Sequence, residues 1–308
     1  MESTINRPFL GWLRSNPVIL KELRSRMRGS RAFWMLTAYL IFLSIGMIVI
    51  LLGYAASERS GAGGYVRPII GKALFGMAFG LELLTISFIA PALTAGAISS
   101  ERELHTYDLL RTTLLPARSM VLGKLFSSLS YLILLLFSAL PFQSLAFLFG
   151  GVATEEIFIS ALLLLVTALA FCSMGLFFSS FTRRTLVSTA MSYGCAILLV
   201  FGLPMALIVG VVMFGRFFPS LGSETNYGTI AFLLTLGWIL VSINPIATAV
   251  LAEVLFIQEQ ALFTYSFPVV EGQTFSIISP WISYSIYYLI ISILLIWLSI
   301  RLVRRVEK

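Results

Sequence analysis

Six long apolar runs constrain this chain more than any other feature of its sequence. Each is longer than the roughly 20 residues that an α-helix needs to cross a bilayer. The runs are residues 33–56, 69–98, 121–149, 157–181, 186–214 and 281–302. Only helices satisfy their own backbone groups in lipid, because the bilayer core offers no water for hydrogen bonding. With 58% apolar residues and a mean hydropathy of +0.96, residues 1–308 form one all-α integral membrane domain.

A seventh apolar run, residues 230–257, contains Asn244 and Pro245 at its centre and is too short on either side of them to span. With six crossings, 17 of the 21 Lys and Arg residues lie on one side of the membrane. This asymmetry predicts that both termini are cytoplasmic, because cytoplasmic loops carry an excess of basic residues. The seventh run is then predicted to be a re-entrant hairpin before the last span, within an extracytoplasmic segment of residues 217–280.

The basic segment that precedes the first span is predicted to form an amphipathic helix over residues 16–31. Asn16 and Pro17 provide an N-cap and a first helical residue. Lys21, Arg24 and Arg28 lie opposite the apolar face, so the helix would rest on the inner leaflet and contact lipid headgroups. Two interpretations remain open: a topology anchor only, or an elbow that contacts a cytoplasmic partner.

A second helix is predicted between the second and third spans, over residues 99–115. Ser100 and Glu103 have the spacing of a capping box, and Pro116 would end the helix. A short helix of mixed charge at the mouth of a membrane domain suits docking into a groove of another protein. An ordinary capped loop helix explains the same spacing.

The same region carries a resemblance to a known family. The sequence APALTAGAISSERE at residues 90–103, followed by Thr106, Pro116 and VLGK at 121–124, resembles permeases of type-2 ABC exporters. So does the opening Asn-Pro pair with KELR at residues 21–24. His105 departs from the family pattern, in which glycine is common at this position.

The resemblance implies that residues 99–115 are a coupling helix that inserts into a separate cytosolic ABC ATPase. The residues implied to couple are Glu101, Arg102, Glu103, Thr106 and Asp108. It also implies a second permease subunit, identical or not, around the substrate path. Closure of the ATPase would push the coupling helices and reorient spans two and five at the dimer seam.

Glu82 is an ionisable residue in the middle of the second span, where charge is costly and must face protein or water. It is a candidate for the transport path; the alternative is a protonated acid that is hydrogen-bonded at a subunit interface. Sequence patterns for a phosphate loop, a zinc site or a hydrolase elbow are absent from the chain. We therefore expect no enzymatic activity, metal or cofactor, and lipid rather than nucleic acid beside the basic residues.

Together these patterns predict the permease subunit of an ATP-driven exporter in the cell membrane. The main alternative is a membrane anchor or assembly scaffold that transports nothing. A channel or ion-coupled carrier is a third interpretation, and the scarcity of charge within the spans disfavours proton coupling. The substrate has no signature in the sequence.

Overall fold

A computed structural model describes residues 30–59, 67–105, 116–206, 227–259, 263–270 and 273–306. Most of the predicted interfacial helix, including Lys21, Arg24 and Arg28, lies outside these ranges, as do residues 106–115 of the predicted coupling helix.

Helices form nearly all of the described structure. In chain order they are α1 (Ser30–Arg59), α2 (Arg67–Thr94), α3 (Ser99–Glu103), α4 (Ala117–Phe149), α5 (Thr154–Phe181), α6 (Thr185–Ile197), α7 (Tyr227–Ile243), α8 (Pro245–Glu259) and α9 (Pro280–Val306). A π-helical turn, Leu198–Gly202, continues α6. The described residues contain six helical segments long and apolar enough to cross a membrane, built on α1, α2, α4, α5, α6 and α9. The prediction of six membrane helices is confirmed.

The core of the bundle lies around α2 and α5. Helix α2 packs on α4 and α5, and α5 also packs on α9, while α1 lies against α2 and α4. Phe171 of α5, Leu132 of α4 and Tyr284 of α9 are fully buried in this core. The outer faces of α1 and α9 stay apolar and exposed, as a lipid-facing surface requires.

Two glycines allow close contacts with α2. A side chain at Gly175 of α5 would place its Cβ 2.1 Å from Oγ1 of Thr94. A side chain at Gly71 would place its Cβ 1.8 Å from the carbonyl oxygen of Gly150, in the turn between α4 and α5. The Gly76–Gly80 pair, whose spacing is typical of close helix contacts, has no atom within 4 Å of either added Cβ. The spacing therefore marks no helix contact within the described chain.

Helices α7 and α8 meet at Asn244 with a bend of 119°. Oδ1 of Asn244 accepts a 2.7 Å hydrogen bond from the N–H of Ala247, so Asn244 caps α8 and Pro245 begins it. Its Nδ2 donates to the carbonyls of Leu199 and Val200 in the π turn of α6. A π turn disturbs the regular backbone ladder of a helix, and the amide of Asn244 occupies two of its carbonyls. The bent pair is thus joined to the fifth span at its apex.

Residues 264–278 contain a β-hairpin that was not predicted from the sequence. Strands β1 (Thr264–Val270) and β2 (Gln273–Ile278) are antiparallel, with an irregularity between Pro268 and Val270. A proline donates no ladder hydrogen bond and is tolerated at such a bulge. Nε1 of Trp238 in α7 donates to the carbonyl of Ile278 at 2.7 Å, which ties the hairpin to the bent pair.

Lys72, near the start of α2, pairs with a carboxylate of α5. Its Nζ lies 3.3 Å from Oε1 of Glu156 in the first turn of α5. Glu156 is buried, and an ionised carboxylate in that position requires a nearby cation. The pair joins α2 to α5 at the end of the bundle opposite α3.

Candidate functional site

A turn separates α2 from α3. Residues 95–98 form this turn after Thr94, and α3 follows at the end of the same span; we call residues 95–105 the elbow. Oγ of Ser179, near the end of α5, accepts hydrogen bonds from the N–H groups of Ile98 and Ser99 at 2.8 and 3.0 Å. Oγ of Ser188 in α6 donates to the carbonyl of Ala95 at 2.6 Å. Two serines of neighbouring spans therefore fix the elbow.

The capping box predicted from Ser100 and Glu103 does not form. Helix α3 begins at Ser99, and its N-cap position, Ile98, makes no side-chain capping bond. Oγ of Ser100 donates instead to the carbonyl of Gly96. Ser179 supplies the capping oxygen from another helix, so the local signal in the sequence was replaced by a tertiary contact.

Glu101 connects the elbow to α4. Its Oε1 lies 2.7 Å from Nζ of Lys124, whose side chain is only 4% exposed. Removing one partner of such a pair leaves a charge without compensation in a poorly solvated position. The elbow and the third span are therefore held together by a partly buried ion pair.

Arg102 and Glu103 connect the elbow to the turn between α5 and α6. Nη1 of Arg102 donates to the carbonyl of Ser180 at 2.8 Å. Oε2 of Glu103 accepts a 3.1 Å hydrogen bond from the N–H of Thr185, the first residue of α6. Thr185, through its hydroxyl and its N–H, holds the pKa of the Glu103 carboxyl below its ordinary value. Glu103 therefore acts at the N-terminus of α6 as an ionised carboxylate, which the helix dipole favours.

The tip of the elbow is exposed. Leu104 has 72% of its surface accessible. His105 has a φ of 55°, in the left-handed region that glycine adopts without cost. The histidine thus occupies a backbone geometry suited to the glycine that is common in the resembled family. An apolar side chain at an exposed turn is available to another protein.

The structure describes only some of the residues predicted to couple. It brings Glu101, Arg102 and Glu103 together on the elbow, while Thr106 and Asp108 lie outside the described residues. The bundle residues that hold the elbow, Lys124, Ser179 and Thr185, were not identified from the sequence. Lys124 is part of the VLGK motif, and Thr185 follows the basic pair Arg183-Arg184. The sequence does not show, however, which residues of distant helices contact the elbow.

Glu82 lies elsewhere, inside the bundle. It is fully buried, and Nε2 of Gln143 in α4 lies 3.0 and 2.9 Å from its two carboxyl oxygens. The carboxyl group therefore faces a helix contact within one chain in this conformation. Within the described ranges, no three His, Cys, Asp or Glu side chains come together as a metal site would require.

The chain is similar to a known family over most of its length. The sequence model of a family described as ABC-2 family transporter protein matches residues 17–303. The chain belongs to this ABC-2 transporter family. Its membrane subunits are generally non-enzymatic permeases that work with an ABC ATPase. Six apolar helices and this membership identify a multi-pass membrane permease. Comparison with curated proteins gives no match.

Proposed function

We propose that this permease couples ATP hydrolysis on a separate cytosolic ATPase to export, and that the elbow receives the force. The observation that supports the proposal is the set of bonds from one short segment to three helices. Glu101 reaches α4, Arg102 reaches the end of α5, and Glu103 reaches the start of α6. A push on the elbow would therefore act on several spans at once.

The contacts between α2 and α6 extend this connection into the membrane. Phe88 of α2 packs against Tyr193 and Phe201 of the fifth span, with ring centroids 6.3 Å apart in both pairs. The carbonyl of Ala95 and Oγ of Ser188 form a hydrogen bond at the elbow end of the same contact. Spans two and five would thus move together when the elbow moves, as the resemblance implies for the dimer seam.

In this mechanism each described coupling residue has a distinct role. Glu101 and Arg102, both half-buried, transmit displacement from the elbow to the bundle, while Leu104 and the exposed edge of Glu103 face the ATPase. Thr106 and Asp108, the other residues proposed to couple, follow the elbow in sequence. Both termini would lie on the ATPase side, and Lys21, Arg24 and Arg28 would hold an interfacial helix on the inner leaflet.

Glu82 keeps its proposed place on the transport path. In the described conformation Gln143 covers its carboxyl group. Exposure of Glu82 to a substrate would require α2 and α4 to separate, which the ion pair between Glu101 and Lys124 opposes at the elbow end of these helices. Opening of the path and displacement of the elbow would therefore be linked.

Leu104→Ala tests docking of the ATPase on the elbow. We expect the truncation to weaken co-purification of the partner ABC ATPase by about tenfold or more, because a leucine side chain buried at an interface contributes roughly 1.5–3 kcal/mol. The stability of the isolated permease should not change, since Leu104 is exposed. ATP hydrolysis by the reconstituted complex should fall in parallel.

Leu148→Ala is the matched control. Leu148 is 79% exposed and lies near the end of α4 that is remote from the elbow, so its truncation should leave ATPase binding unchanged. Equal ATPase binding by wild type and Leu104→Ala would contradict docking at the elbow tip. Failure of the ATPase to bind the wild-type permease would contradict the proposed function as a whole.

A further inference from the structure

A groove lies between the start of α4 and the second half of α9. Its polar rim is formed by Arg118 of α4 and by Arg301 and Arg304 of α9. Its wall contains Ile293, Trp297 and Ile300. Among the described residues that line the groove, none is acidic. Neither the elbow mechanism nor the family membership assigns it a role.

The arrangement of charge in the groove is asymmetric. The three arginines occupy the end near the C-terminus of α9, whereas the apolar wall continues one and two turns toward the middle of that helix. Arg301 lies over the ring of Trp297, with 4.8 Å between the guanidinium carbon and the ring centroid. Such a cation–π contact holds the guanidinium at the rim. Arginine in this position presents a planar fork of donors suited to phosphate oxygens.

We propose that the groove binds one anionic phospholipid, with its phosphate among Arg118, Arg301 and Arg304 and an acyl chain along Trp297 and Ile293. Charge complementarity selects an anionic headgroup, because three arginines line one groove and none of the described residues that line it is acidic. The apolar wall selects a lipid over a free phosphate ion. A volume of about 660 Å³ agrees, since it lies in the range of sites for organic ligands.

The lipid would link two spans at the end of the molecule that carries the elbow. Val303 of α9 packs with Ala117 of α4 and Ile98 of the elbow in a small apolar cluster behind the groove. A phospholipid bound across Arg118 and Arg301 therefore joins α4 to α9 beside the residues that hold the elbow. The site is independent of the ATPase, and its test does not require transport.

The local test uses Trp297 as a reporter. In the full-length permease with Trp12, Trp34, Trp238 and Trp281 replaced by phenylalanine, Trp297 is the only tryptophan. Nanodiscs then contain a small fraction of phosphatidylglycerol or phosphatidylcholine brominated on the acyl chain. We expect phosphatidylglycerol to quench Trp297 at a severalfold lower mole fraction. Equal quenching by the two lipids would overturn the proposal.

Arg301→Gln/Arg304→Gln supplies the specificity test. Each basic residue near an anionic surface contributes about fivefold to binding, so the double variant should lose about 25-fold in preference for phosphatidylglycerol. Arg183→Gln/Arg184→Gln removes the same charge from the exposed α5–α6 turn and should keep the preference. If both double variants lose this preference equally, the preference depends on net charge alone, and the proposal of a defined site is overturned.

Native mass spectrometry of the permease with all its tryptophans gives a second measurement, should the tryptophan replacements prevent folding. The wild type and the Arg183/Arg184 variant should retain one phosphatidylglycerol in detergent, and Arg301→Gln/Arg304→Gln should lose it. Retention by the latter variant, or occupancy of the groove by another part of the chain or a second copy, would overturn the proposal.

Discussion

Glu82 and Gln143 form the most specific polar contact inside the bundle. Two hydrogen bonds connect the buried carboxyl group to one amide nitrogen, between α2 and α4. The sequence predicted that Glu82 must face protein or water, because an ionisable group in a span needs a partner. Gln143 could not be identified from its own run, since one glutamine among apolar residues indicates no partner on a distant helix.

A double-mutant cycle at these two residues separates packing from transport. We expect Glu82→Leu to destabilise the permease by about 1–3 kcal/mol, because the buried amide of Gln143 loses its partner. Glu82→Leu/Gln143→Leu should recover most of this stability, since both polar groups are then removed. Thermal unfolding in detergent provides the measurement, and a double variant no more stable than Glu82→Leu would contradict the pairing.

Glu82→Gln addresses the transport path in the same experiment. Glutamine retains hydrogen-bonding groups toward Gln143, so we expect near-wild-type unfolding. Loss of export in this variant, with normal stability, would assign the carboxyl group to the path. Normal export would limit Glu82 to the α2–α4 contact.

The elements themselves were predicted better than their contacts. Six spans follow from run length and hydropathy, and the bend at Asn244-Pro245 follows from the proline. The β-hairpin was missed because β1 and β2 are short and lie within a segment rich in loop formers. Elbow geometry could not be predicted because Ser179, on a helix remote in sequence, provides its capping oxygen.

Gly71 is required by the contact of α2 with the α4–α5 turn. We expect Gly71→Ala to destabilise the permease by at least about 1–3 kcal/mol, because its Cβ would overlap the carbonyl of Gly150, which is backbone and cannot rotate away. Gly76→Ala, in the same helix, meets open space and should be neutral or slightly stabilising. The unfolding temperatures of the two variants measure this difference. Similar values would contradict the close contact between Gly71 and Gly150.

The ion pair between Glu101 and Lys124 is predicted to transmit movement of the elbow to α4. Glu101→Lys should uncouple ATP hydrolysis from export and destabilise the permease, because it places two cations together where Lys124 is nearly buried. Glu101→Lys/Lys124→Glu should restore part of both properties. Export and ATP hydrolysis in proteoliposomes measure the coupling. If the swapped pair behaves no better than Glu101→Lys, Glu101 acts through contacts other than Lys124.

At the scale of the whole molecule, the asymmetric distribution of Lys and Arg requires that the elbow and the β-hairpin lie at opposite ends of the described helices. Ile98 of the elbow, Ala117 of α4 and Val303 of α9 pack together at one end. Ser276 precedes α9 and lies at its other end. A helix of 27 residues extends about 40 Å, more than the roughly 30 Å of a hydrocarbon core. Ser276 and the elbow therefore lie on opposite sides of any membrane that α9 crosses.

Labelling with a membrane-impermeant maleimide determines which side is which. In a background with Cys172 and Cys195 replaced by alanine, we expect Ser276→Cys to react on intact cells, because the distribution of Lys and Arg predicts that this end is outside and because Ser276 is exposed. His105→Cys, at the exposed elbow tip, should react only after permeabilisation. The reverse pattern would place the elbow outside, away from ATP, and would contradict coupling to a cytosolic ATPase. Reaction of both positions on intact cells would contradict the six-span topology, since the length of α9 separates them by a full membrane.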